Sequence, residues 1–312
     1  YKTTSMKIIQ LFALLPSASA FVLPQTSFDS RTLLQATTDE QSSSFSRRDA
    51  LQTAFVGATA SVLTFLPSSP AFADEAEASS SMIKNVVVAG ATGQTGSRIY
   101  ERLNSSKFVT TAGVRNVKKA GKSLTGTLKQ LDVVEDSLDT LTETLSGADG
   151  LIIACGMNPG KNLLRMSAAA REVDNVGTCK LIDAAKKAGV KKVVLVSSIL
   201  TNGRAWGQED SPGFKITNAF GNALDEKLVA EKYLRASGLD YTIVRPGGLQ
   251  AKAPTGALSI NPEDTLNSGE ISRDLVADVC VAALNDPKAN NKVLEIIEND
   301  GTPPKVFNGL NM

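Results

Sequence analysis

The chain has 312 residues, with 33 Lys and Arg against 32 Asp and Glu, a formal net charge of +1, and no histidine. This balanced charge, without a block of Lys or Arg, argues against a nucleic-acid partner. The lack of histidine and the presence of only three widely spaced cysteines argue against a zinc site and against His-based triad chemistry. Each cysteine lies in an apolar segment and is interpreted as a small core residue: Cys155, Cys179 and Cys280.

Residues 1–80 are predicted to be a multipart targeting leader, disordered or cleaved, and residues 81–312 are predicted to be the folded domain. From Met6 to Phe21 the sequence has a basic start, a short apolar centre and a small-residue end, as a secretory signal does. Residues 25–46 are rich in Ser and Thr and poor in acids, as transit peptides are.

A second export-like unit follows the first. Arg47-Arg48 precedes an apolar run at 50–66 and then Ala71-Phe72-Ala73, which is the pattern of a twin-arginine export signal. Together the two units resemble the presequences of algae whose plastids derive from a red alga, which implies a plastid protein delivered to the thylakoid lumen. The alternative is that the run at 50–66, near the ~20 residues that span a bilayer, stays as an anchor and associates the domain with the membrane from the stroma.

From Met82 onward, strand-like apolar runs alternate with helix-like segments, which predicts an α/β fold with a doubly wound parallel sheet in a single domain. Helices are predicted at Gly96–Leu103, Ser137–Leu145, Ala168–Ala188, Asn222–Ser237 and Ser272–Leu284, the last with Ser272 as its N-cap. Strands are predicted at Asn85–Ala89, Thr110–Val114, Lys129–Asp132, Gly150–Ala154, Lys192–Ser197, Asp240–Arg245 and Lys292–Ile297.

Three glycines stand where the first strand gives way to the first helix, in Gly90-Ala91-Thr92-Gly93-Gln94-Thr95-Gly96. Gly90 is predicted to make a tight turn, Gly93 to let the main chain approach a pyrophosphate, and Gly96 to let the helix pack on the strand. The spacing is one residue longer than the usual dinucleotide fingerprint, and the alternative is a glycine-rich turn without a ligand. The predicted cofactor contacts in this loop are Gly90, Thr92, Gly93, Gln94, Thr95 and Gly96.

The end of the second strand predicts which dinucleotide binds. An NAD site usually has a carboxylate about 20 residues past the glycine loop, whereas an NADP site has a basic residue nearby. Arg115 occupies this place and no carboxylate does, so the predicted cofactor is NADP(H). The alternative for Arg115 is a solvated loop arginine, and Lys118 and Lys119 are interpreted as an exposed helix face. Asp132 and Val133 are predicted to meet the adenine, with capping of the next helix as the alternative for Asp132.

Six motifs occur in the order seen in atypical short-chain dehydrogenase/reductases, which the chain resembles from about Lys84 to Ile297. The subgroup that it resembles comprises plastid NAD(P)-binding proteins related to the NADP-binding subunit of the chloroplast inner-envelope translocon. The glycine loop is also similar to that of biliverdin reductase B, a flavin reductase. The resemblance implies an NAD(P)-binding Rossmann fold. The motifs are Gly90–Gly96, Val114-Arg115-Asn116, Leu131-Asp132-Val133, Val173–Thr178, Val196–Ile199 and Val244–Gly248.

The resemblance also implies three catalytic residues. Ser198 matches the serine that hydrogen-bonds the substrate carbonyl, Asn175 matches the asparagine of the proton relay, and Lys227 matches the lysine that binds the nicotinamide ribose. The tyrosine of the family, which is the usual general acid for carbonyl reduction, is replaced by Ala223. Alanine cannot transfer a proton.

The missing tyrosine favours one class of reaction. Tyr233 and Tyr241 do not have the spacing to replace it and are interpreted as packing residues. Ordinary ketone reduction is therefore disfavoured, whereas hydride transfer to a flavin-like, quinone-like or conjugated acceptor needs no acid at one fixed position.

The stretch at 200–220 follows the fifth strand and is predicted to overhang the nicotinamide pocket. Trp206, Phe214 and Phe220 in it are predicted to stack on a planar substrate, and the alternative is a hydrophobic lid or a partner-docking surface. The main-chain contacts predicted for the nicotinamide amide come from Pro246 and Gly247.

The sequence therefore predicts an NADPH-dependent oxidoreductase that acts on a small-molecule acceptor. The alternative is a non-catalytic NADP(H)-sensing scaffold or assembly factor, whose partner is a thylakoid or envelope protein complex. Loss of the tyrosine at Ala223 supports the alternative, and retention of Ser198, Asn175 and Lys227 supports the enzyme.

Overall fold

The computed structural model describes residues 82–158, 165–219, 221–305, 307, 309 and 310. The predicted leader, with its apolar run at 50–66, and Phe220 lie outside the described residues. Within the described part of the chain, no helix combines the length and the apolar character that crossing a membrane requires.

The strands of the main sheet follow the order β3-β2-β1-β4-β5-β6-β10-β8. Its neighbours are parallel except β8, which pairs antiparallel with β10 at the edge, and β7 and β9 form a separate parallel pair. The predicted doubly wound parallel sheet is therefore confirmed, with an antiparallel edge strand added to it. The strands are β1 Asn85–Ala89, β2 Val109–Val114, β3 Thr127–Gln130, β4 Gly150–Ile153, β5 Lys192–Val196, β6 Asp240–Pro246, β7 Gly248–Gln250, β8 Ala257–Asn261, β9 Glu270–Ser272 and β10 Lys292–Asn299.

The helices connect the strands in the alternation that the sequence predicts, and short 3₁₀ turns at Gly203–Trp206 and Pro287–Ala289 accompany them. Ser272 caps the last helix by accepting a hydrogen bond from the Asp274 N–H, which confirms its predicted role. The helices are α1 Gln94–Asn104, α2 Val117–Ala120, α3 Leu138–Leu145, α4 Met166–Ala170, α5 Thr178–Ala188, α6 Pro212–Asn218, α7 Ala223–Ala236 and α8 Arg273–Ala282.

Alternate side chains of β1 divide the core into two layers. Val86 and Val88 pack in the layer that contains apolar residues of α1 and α8, whereas Val87 and Ala89 pack in the layer that contains those of α3 and α5. Successive strand side chains point to opposite faces, and both faces are covered here, so β1 is apolar throughout its buried part. The glycine loop therefore starts from a rigid support at the centre of the sheet.

The helix predicted at 168–188 consists of three pieces. A π-helical segment, Arg171–Gly177, separates α4 from α5. Such segments are rare and are frequent at functional sites. Apolar periodicity does not reveal the wider turn, yet the wider turn determines where Asp174 and Asn175 lie.

Smaller differences concern the third strand and the short strands. β3 ends at Gln130, two residues before the predicted end, because the Asp132 carboxylate accepts from the Val134 N–H and turns the chain. The sequence did not predict β7, β8 or β9, which are short and only partly buried.

Candidate cofactor and active site

The candidate site lies at the carboxyl ends of β1 and β4, between which the strand order reverses and where open α/β sheets bind ligands. Gly90 follows β1 with a φ of +80°, and a Cβ on it would lie 2.9 Å from the carbonyl oxygen of Ala154. The Gly93 N–H donates to the Gly90 carbonyl at 2.9 Å and closes the turn. Both the left-handed conformation and the close contact with Ala154 therefore require glycine at position 90.

The N-terminus of α1 is open to an anion. Gly93 is the N-cap, no side chain of the described residues caps the helix, and its first turn contains no acidic residue. A Cβ on Gly96 would lie 2.2 Å from the Gly90 carbonyl oxygen, so the helix packs directly on the loop. A pyrophosphate fits the free N–H groups and the positive end of the helix dipole.

Arg115 stands exposed directly after β2. Asn116, the next residue, caps α2 by accepting from the Lys119 N–H at 2.8 Å. Lys118 and Lys119 are exposed on α2, as interpreted from the sequence. The end of β2 thus offers a guanidinium and no carboxylate, which fits the 2′-phosphate of NADP(H).

The end of β3 differs in part from the prediction. Asp132 Oδ1 accepts from the Val134 N–H at 3.0 Å, while Ser137 caps α3 by accepting from the Thr140 N–H at 3.1 Å. Capping of the next helix by Asp132, the alternative reading, is therefore wrong. The Val133 side chain is 5% exposed and packs in the core, so only its main chain is left to meet an adenine.

Lys227, on α7, forms an ion pair with Asp174 of the π-helical segment, with 2.9 Å between Nζ and Oδ1. The Asp174 side chain is 1% exposed and that of Lys227 is 20% exposed. Asn175 donates to Glu226 at 2.6 Å, so two successive residues of the segment bind two successive residues of α7. The sequence identified Asn175 and Lys227 but not Asp174, because 53 residues separate the partners and no spacing links them.

Charged side chains from different elements converge on the end of β4. Burial raises the pKa of the Cys155 thiol to about 12, the charge of Asp174 adds to this shift, and Lys227 and Arg115 oppose it. Cys155 is therefore a protonated thiol at neutral pH, which supports its interpretation as a packing residue. Burial also raises the pKa of the other two thiols, Cys179 and Cys280.

Ser198 and Ser197, at the end of β5, have different environments. Ser197 is buried and donates to Glu231 at 2.5 Å. Ser198 is half-buried, and within the described part of the chain its hydroxyl has no side-chain partner, while its carbonyl accepts from the Thr201 hydroxyl at 2.5 Å. Ser198 is therefore the serine that remains available to a ligand.

A buried charge cluster supports the ends of β6 and β10. Its centre is the fully buried guanidinium of Arg245, which lies 2.6 Å from Glu231 and 2.7 Å from Asp264. Burial opposes the charge, but the hydrogen bond and charge of Glu231, followed by Asp264 and Glu263, raise the pKa of Arg245 above its usual value. No sequence motif reveals this set. We call it the Arg245 cluster, and its members are Arg245, Glu231, Glu263, Asp264 and Glu295.

The loop after β5 packs around a small apolar cluster and does not present Phe214 as an aromatic platform. Phe214 is 3% exposed and lies in an apolar cluster with Leu200 and Leu224, under the guanidinium of Arg204. The prediction that Phe214 stacks on a substrate is therefore wrong, because its ring is already covered. Trp206 packs against this cluster but is only half-buried.

The segment after β6 has little free hydrogen-bonding capacity. The Gly247 N–H donates to Ile296 at 2.9 Å, and the Pro246 carbonyl accepts from the Ile199 N–H at 3.0 Å. A Cβ on Gly247 would lie 2.6 Å from the Gly269 carbonyl, so packing is sufficient to explain this glycine. Any contact with a nicotinamide amide would use other main-chain atoms of the segment.

No phenol takes the place of the missing tyrosine among the described residues. Ala223 opens α7 and is 8% exposed. The Tyr233 hydroxyl donates to Asp183 at 2.7 Å on the outer surface of α5 and α7, and Tyr241 lies at the amino end of β6, at the opposite edge of the sheet. Tyr241 packs against the core layer of α3 and α5, which agrees with its interpretation as a packing residue. Tyr233 is 40% exposed, so that interpretation is wrong for it.

Comparison with known proteins finds matches across this site. A family model described as NAD(P)H-binding matches residues 90–287. An uncharacterized chloroplastic protein of Arabidopsis thaliana is 47% identical over 73% of this chain and 81% of its own length. Sanguinarine reductase of Eschscholzia californica is 32% identical over 70% of this chain and 90% of its length.

Two further matches differ in extent. The chloroplastic protein TIC 62 of Pisum sativum is 35% identical over 70% of this chain, but the match covers 43% of TIC 62. The crystal structure of ChuY, an anaerobillin reductase of Escherichia coli O157:H7, superposes with a TM-score of 0.56 and 27% identity, over 71% of this chain and all of that chain.

Proposed function

Because this chain belongs to the NAD(P)H-binding family, an atypical branch of the short-chain dehydrogenase/reductases, we propose that it is an NADPH-dependent reductase. The proposed substrate is a planar conjugated acceptor such as a flavin or a quinone. The observation that carries the proposal is that one sheet edge combines an uncapped helix N-terminus, an exposed Arg115 and an available Ser198 hydroxyl. Ala223 in place of the tyrosine directs the proposal away from simple ketones.

The names of two similar proteins support a reductase. One relative is a sanguinarine reductase, and one structural neighbour is an anaerobillin reductase. Both match about 70% of this chain at 27% identity or more. We therefore favour reduction of a small molecule over the other chemistries that this fold supports.

Different residues of the chain would bind the cofactor and the acceptor. NADPH, when bound, supplies the hydride. The free N–H groups of α1 would hold its pyrophosphate, Arg115 its 2′-phosphate and Lys227 its nicotinamide ribose. Ser198 would donate a hydrogen bond to the acceptor atom on which negative charge develops.

Titration of the purified protein with NADPH, followed by NADPH oxidation with flavins, quinones and a set of simple ketones, tests this proposal. We expect binding and turnover with the conjugated acceptors and little turnover with the ketones. Binding without turnover of any acceptor would contradict the reductase.

Ser198→Ala separates the roles within the site. We expect turnover to fall by about 10- to 100-fold, because one hydrogen bond to a charged group is lost, and NADPH affinity to stay nearly unchanged. Ser105→Ala, at the far end of α1, is the matched control and should have no effect. A Ser198→Ala protein that does not bind NADPH would assign the hydroxyl to the cofactor instead.

A second candidate function is that of an NADP(H)-sensing scaffold in a thylakoid or envelope complex. Ala223 supports it, since it removes the usual general acid, and so does the similarity to TIC 62. Binding of NADPH without turnover, with recovery of the chain in a membrane-associated complex, would favour this function.

We also propose a plastid location, with the catalytic domain at 81–312 after a leader at 1–80. The chloroplastic relatives support the plastid, and the two export-like units support delivery to the thylakoid lumen or association with the thylakoid membrane. Fractionation of plastids with protease protection tests it: a protein that protease digests in intact thylakoids would contradict a lumenal location.

A further inference from the structure

The reduction of a quinone or a flavin ends with a proton on the acceptor, and the site lacks the tyrosine that supplies it in other members of the family. Such acceptors can take a proton from water, so the missing phenol alone decides nothing. The Asp174–Lys227 ion pair gives a reason to look for another donor near the position that Ala223 occupies. Ala223 and Lys227 lie one turn apart on α7, on the same side of the helix.

We propose that the Lys227 ammonium, held in place by Asp174, is the proton donor of this site, an inference that rests on the reductase proposed above. Asp174 is then a positioning residue, since it acts through Lys227. The same lysine would also contact the ribose under the proposed function, and it would thus hold the cofactor and protonate the acceptor from one place.

Asp174 is fixed from two sides. Its Oδ1 atom accepts from Lys227 Nζ at 2.9 Å, and its Oδ2 atom accepts from the Met157 N–H at 3.2 Å in the loop after β4. A carboxylate that is 1% exposed and bonded on both oxygens has no freedom to turn away. Among the described residues Asp174 is the one side chain that Lys227 Nζ bonds. An ammonium has three N–H groups, so two of them remain for ligands.

The π-helical segment explains how this pair forms. Asp174 and Asn175 are adjacent, yet both face α7, where they bond Lys227 and Glu226. The Asn175–Glu226 bond fixes the register between the two elements. Glu226 is thereby occupied by an amide, and Asp174 remains the partner of the lysine.

The Cys155 thiol lies close enough to the pair to interact with both of its charges. Asp174 and Lys227 act on Cys155 together with Arg115 and Asp132. The Cys155 thiol is too weak an acid to compete as a donor at neutral pH, because burial raises its pKa to about 12.

The step balances as follows. The acceptor gains two electrons and one hydrogen as a hydride from the reduced nicotinamide, and the neighbouring oxygen or nitrogen of the acceptor takes a proton from Lys227 Nζ. The N–H bond of the ammonium breaks and leaves a neutral amine, which regains its proton from water. Ser198 donates a hydrogen bond to the same acceptor region and keeps its own proton.

The test compares substitutions of the pair with a matched control. Lys227→Arg keeps the positive charge and the contact with Asp174 but removes the proton donor, because guanidinium is not deprotonated. We expect kcat to fall by about 100-fold or more, with the dissociation constant for NADPH within about threefold of that of the wild type. Asp183→Ala removes the acceptor of the Tyr233 hydroxyl, which joins α5 to α7 outside the site, and should leave both values unchanged.

Chemical rescue separates a proton donor from a structural lysine. Lys227→Ala should regain part of its rate with ethylamine but not with guanidine, since only the amine donates a proton. Asp174→Asn should lower kcat by about tenfold without changing the KM for the acceptor, because the lysine is present but misplaced. NADPH titration and thermal unfolding show whether each variant is folded, and if Asp174→Asn does not fold, the two lysine variants decide.

The outcomes distinguish this inference from the proposed function. A wild-type protein that binds NADPH but reduces no acceptor overturns both. A wild-type protein that reduces an acceptor, with Lys227→Arg equally active or with Lys227→Ala rescued equally by amine and guanidine, overturns the proton donor and leaves the reductase standing.

Discussion

At the ends of β1 and β2, the candidate site consists of main-chain N–H groups and an exposed guanidinium, whereas at the ends of β5, β6 and β10 it rests on buried charges that pair with one another. We call the first region, Gly90–Gly96 with Arg115, the cofactor half. We call the second, Ser197 and Ser198 with the Arg245 cluster, the acceptor half. In the cofactor half the polar groups stay open to a ligand, and in the acceptor half most of them hold the fold together.

This difference indicates where binding and stability are separable. An anion that binds free N–H groups and a surface arginine replaces water, so changes in the cofactor half should alter affinity more than folding. The Arg245 cluster links β6 to α7, β10 and the loop at 262–266, so changes there should alter folding first. The following substitutions test that division.

Arg245→Met should give the largest effect. It leaves the buried carboxylates of Glu231 and Glu295 without a cation, and breaking a buried pair in this way costs about 3–5 kcal/mol in the free energy of unfolding. Arg115→Met, the same substitution in the cofactor half, should change that free energy by less than about 0.5 kcal/mol. Urea unfolding of both variants is the measurement. Equal losses of unfolding free energy would show that the two halves do not differ in their contribution to stability.

Arg115→Glu should show the reverse behaviour. It removes a charged contact with the 2′-phosphate and adds repulsion, so NADPH binding should weaken by about 2 kcal/mol while NADH binding and the free energy of unfolding stay nearly constant. Lys118→Glu makes the same charge change on the exposed face of α2 and should have a smaller effect on NADPH. Fluorescence titration with both cofactors measures this, and unchanged discrimination between them would remove Arg115 from the site.

The cofactor half could be predicted from the sequence because it is local. Strand, glycine loop and helix follow one another in Val86–Gly96, and their apolar pattern and glycine spacing specify both the turn at Gly90 and the open N-terminus of α1. β1 is predicted at its observed bounds, and the strand ends that carry Arg115 and Ser198 are correct within one residue. The end of β3 differs by two residues, because a side-chain bond of Asp132 rather than the apolar pattern ends that strand.

Apart from Ser198, the acceptor half and the Asp174–Lys227 pair could not be predicted, because their contacts join distant parts of the chain. Arg245 bonds residues 14 to 50 positions away, and Asp174 bonds a lysine 53 positions away. The π-helical segment that turns Asp174 toward α7 has no sequence signature. Phe214 was misjudged for a related reason, since an aromatic residue in a loop gives no sign of whether another element will cover it.

Glu298→Gln should give the smallest effect and the most specific signature. The Glu298 carboxylate accepts from the N–H groups of Thr255, Gly256 and Ser272, and these bonds outweigh burial and lower its pKa. Glutamine cannot accept on both sides, because its amide NH₂ would face an N–H group, so the free energy of unfolding at pH 7 should fall by about 1 kcal/mol.

The pH dependence of that loss decides whether the region bordering the acceptor half, like the Arg245 cluster, depends on ionised carboxylates. Because the folded-state pKa of Glu298 lies below its unfolded value of about 4.3, the carboxylate contributes its stability above that pH and loses it as the pH falls through the folded-state pKa. The difference between wild type and Glu298→Gln should therefore be constant from pH 7 to about pH 5 and shrink at lower pH.

Asp139→Asn, at an exposed pair with Lys187, should show almost no difference at any pH, since surface pairs contribute little. If the difference in unfolding free energy between wild type and Glu298→Gln persists at pH 3, the shape of the side chain rather than its charge holds Ser272 and the loop at 255–256 together. Stabilisation by ionised carboxylates would then be limited to the Arg245 cluster.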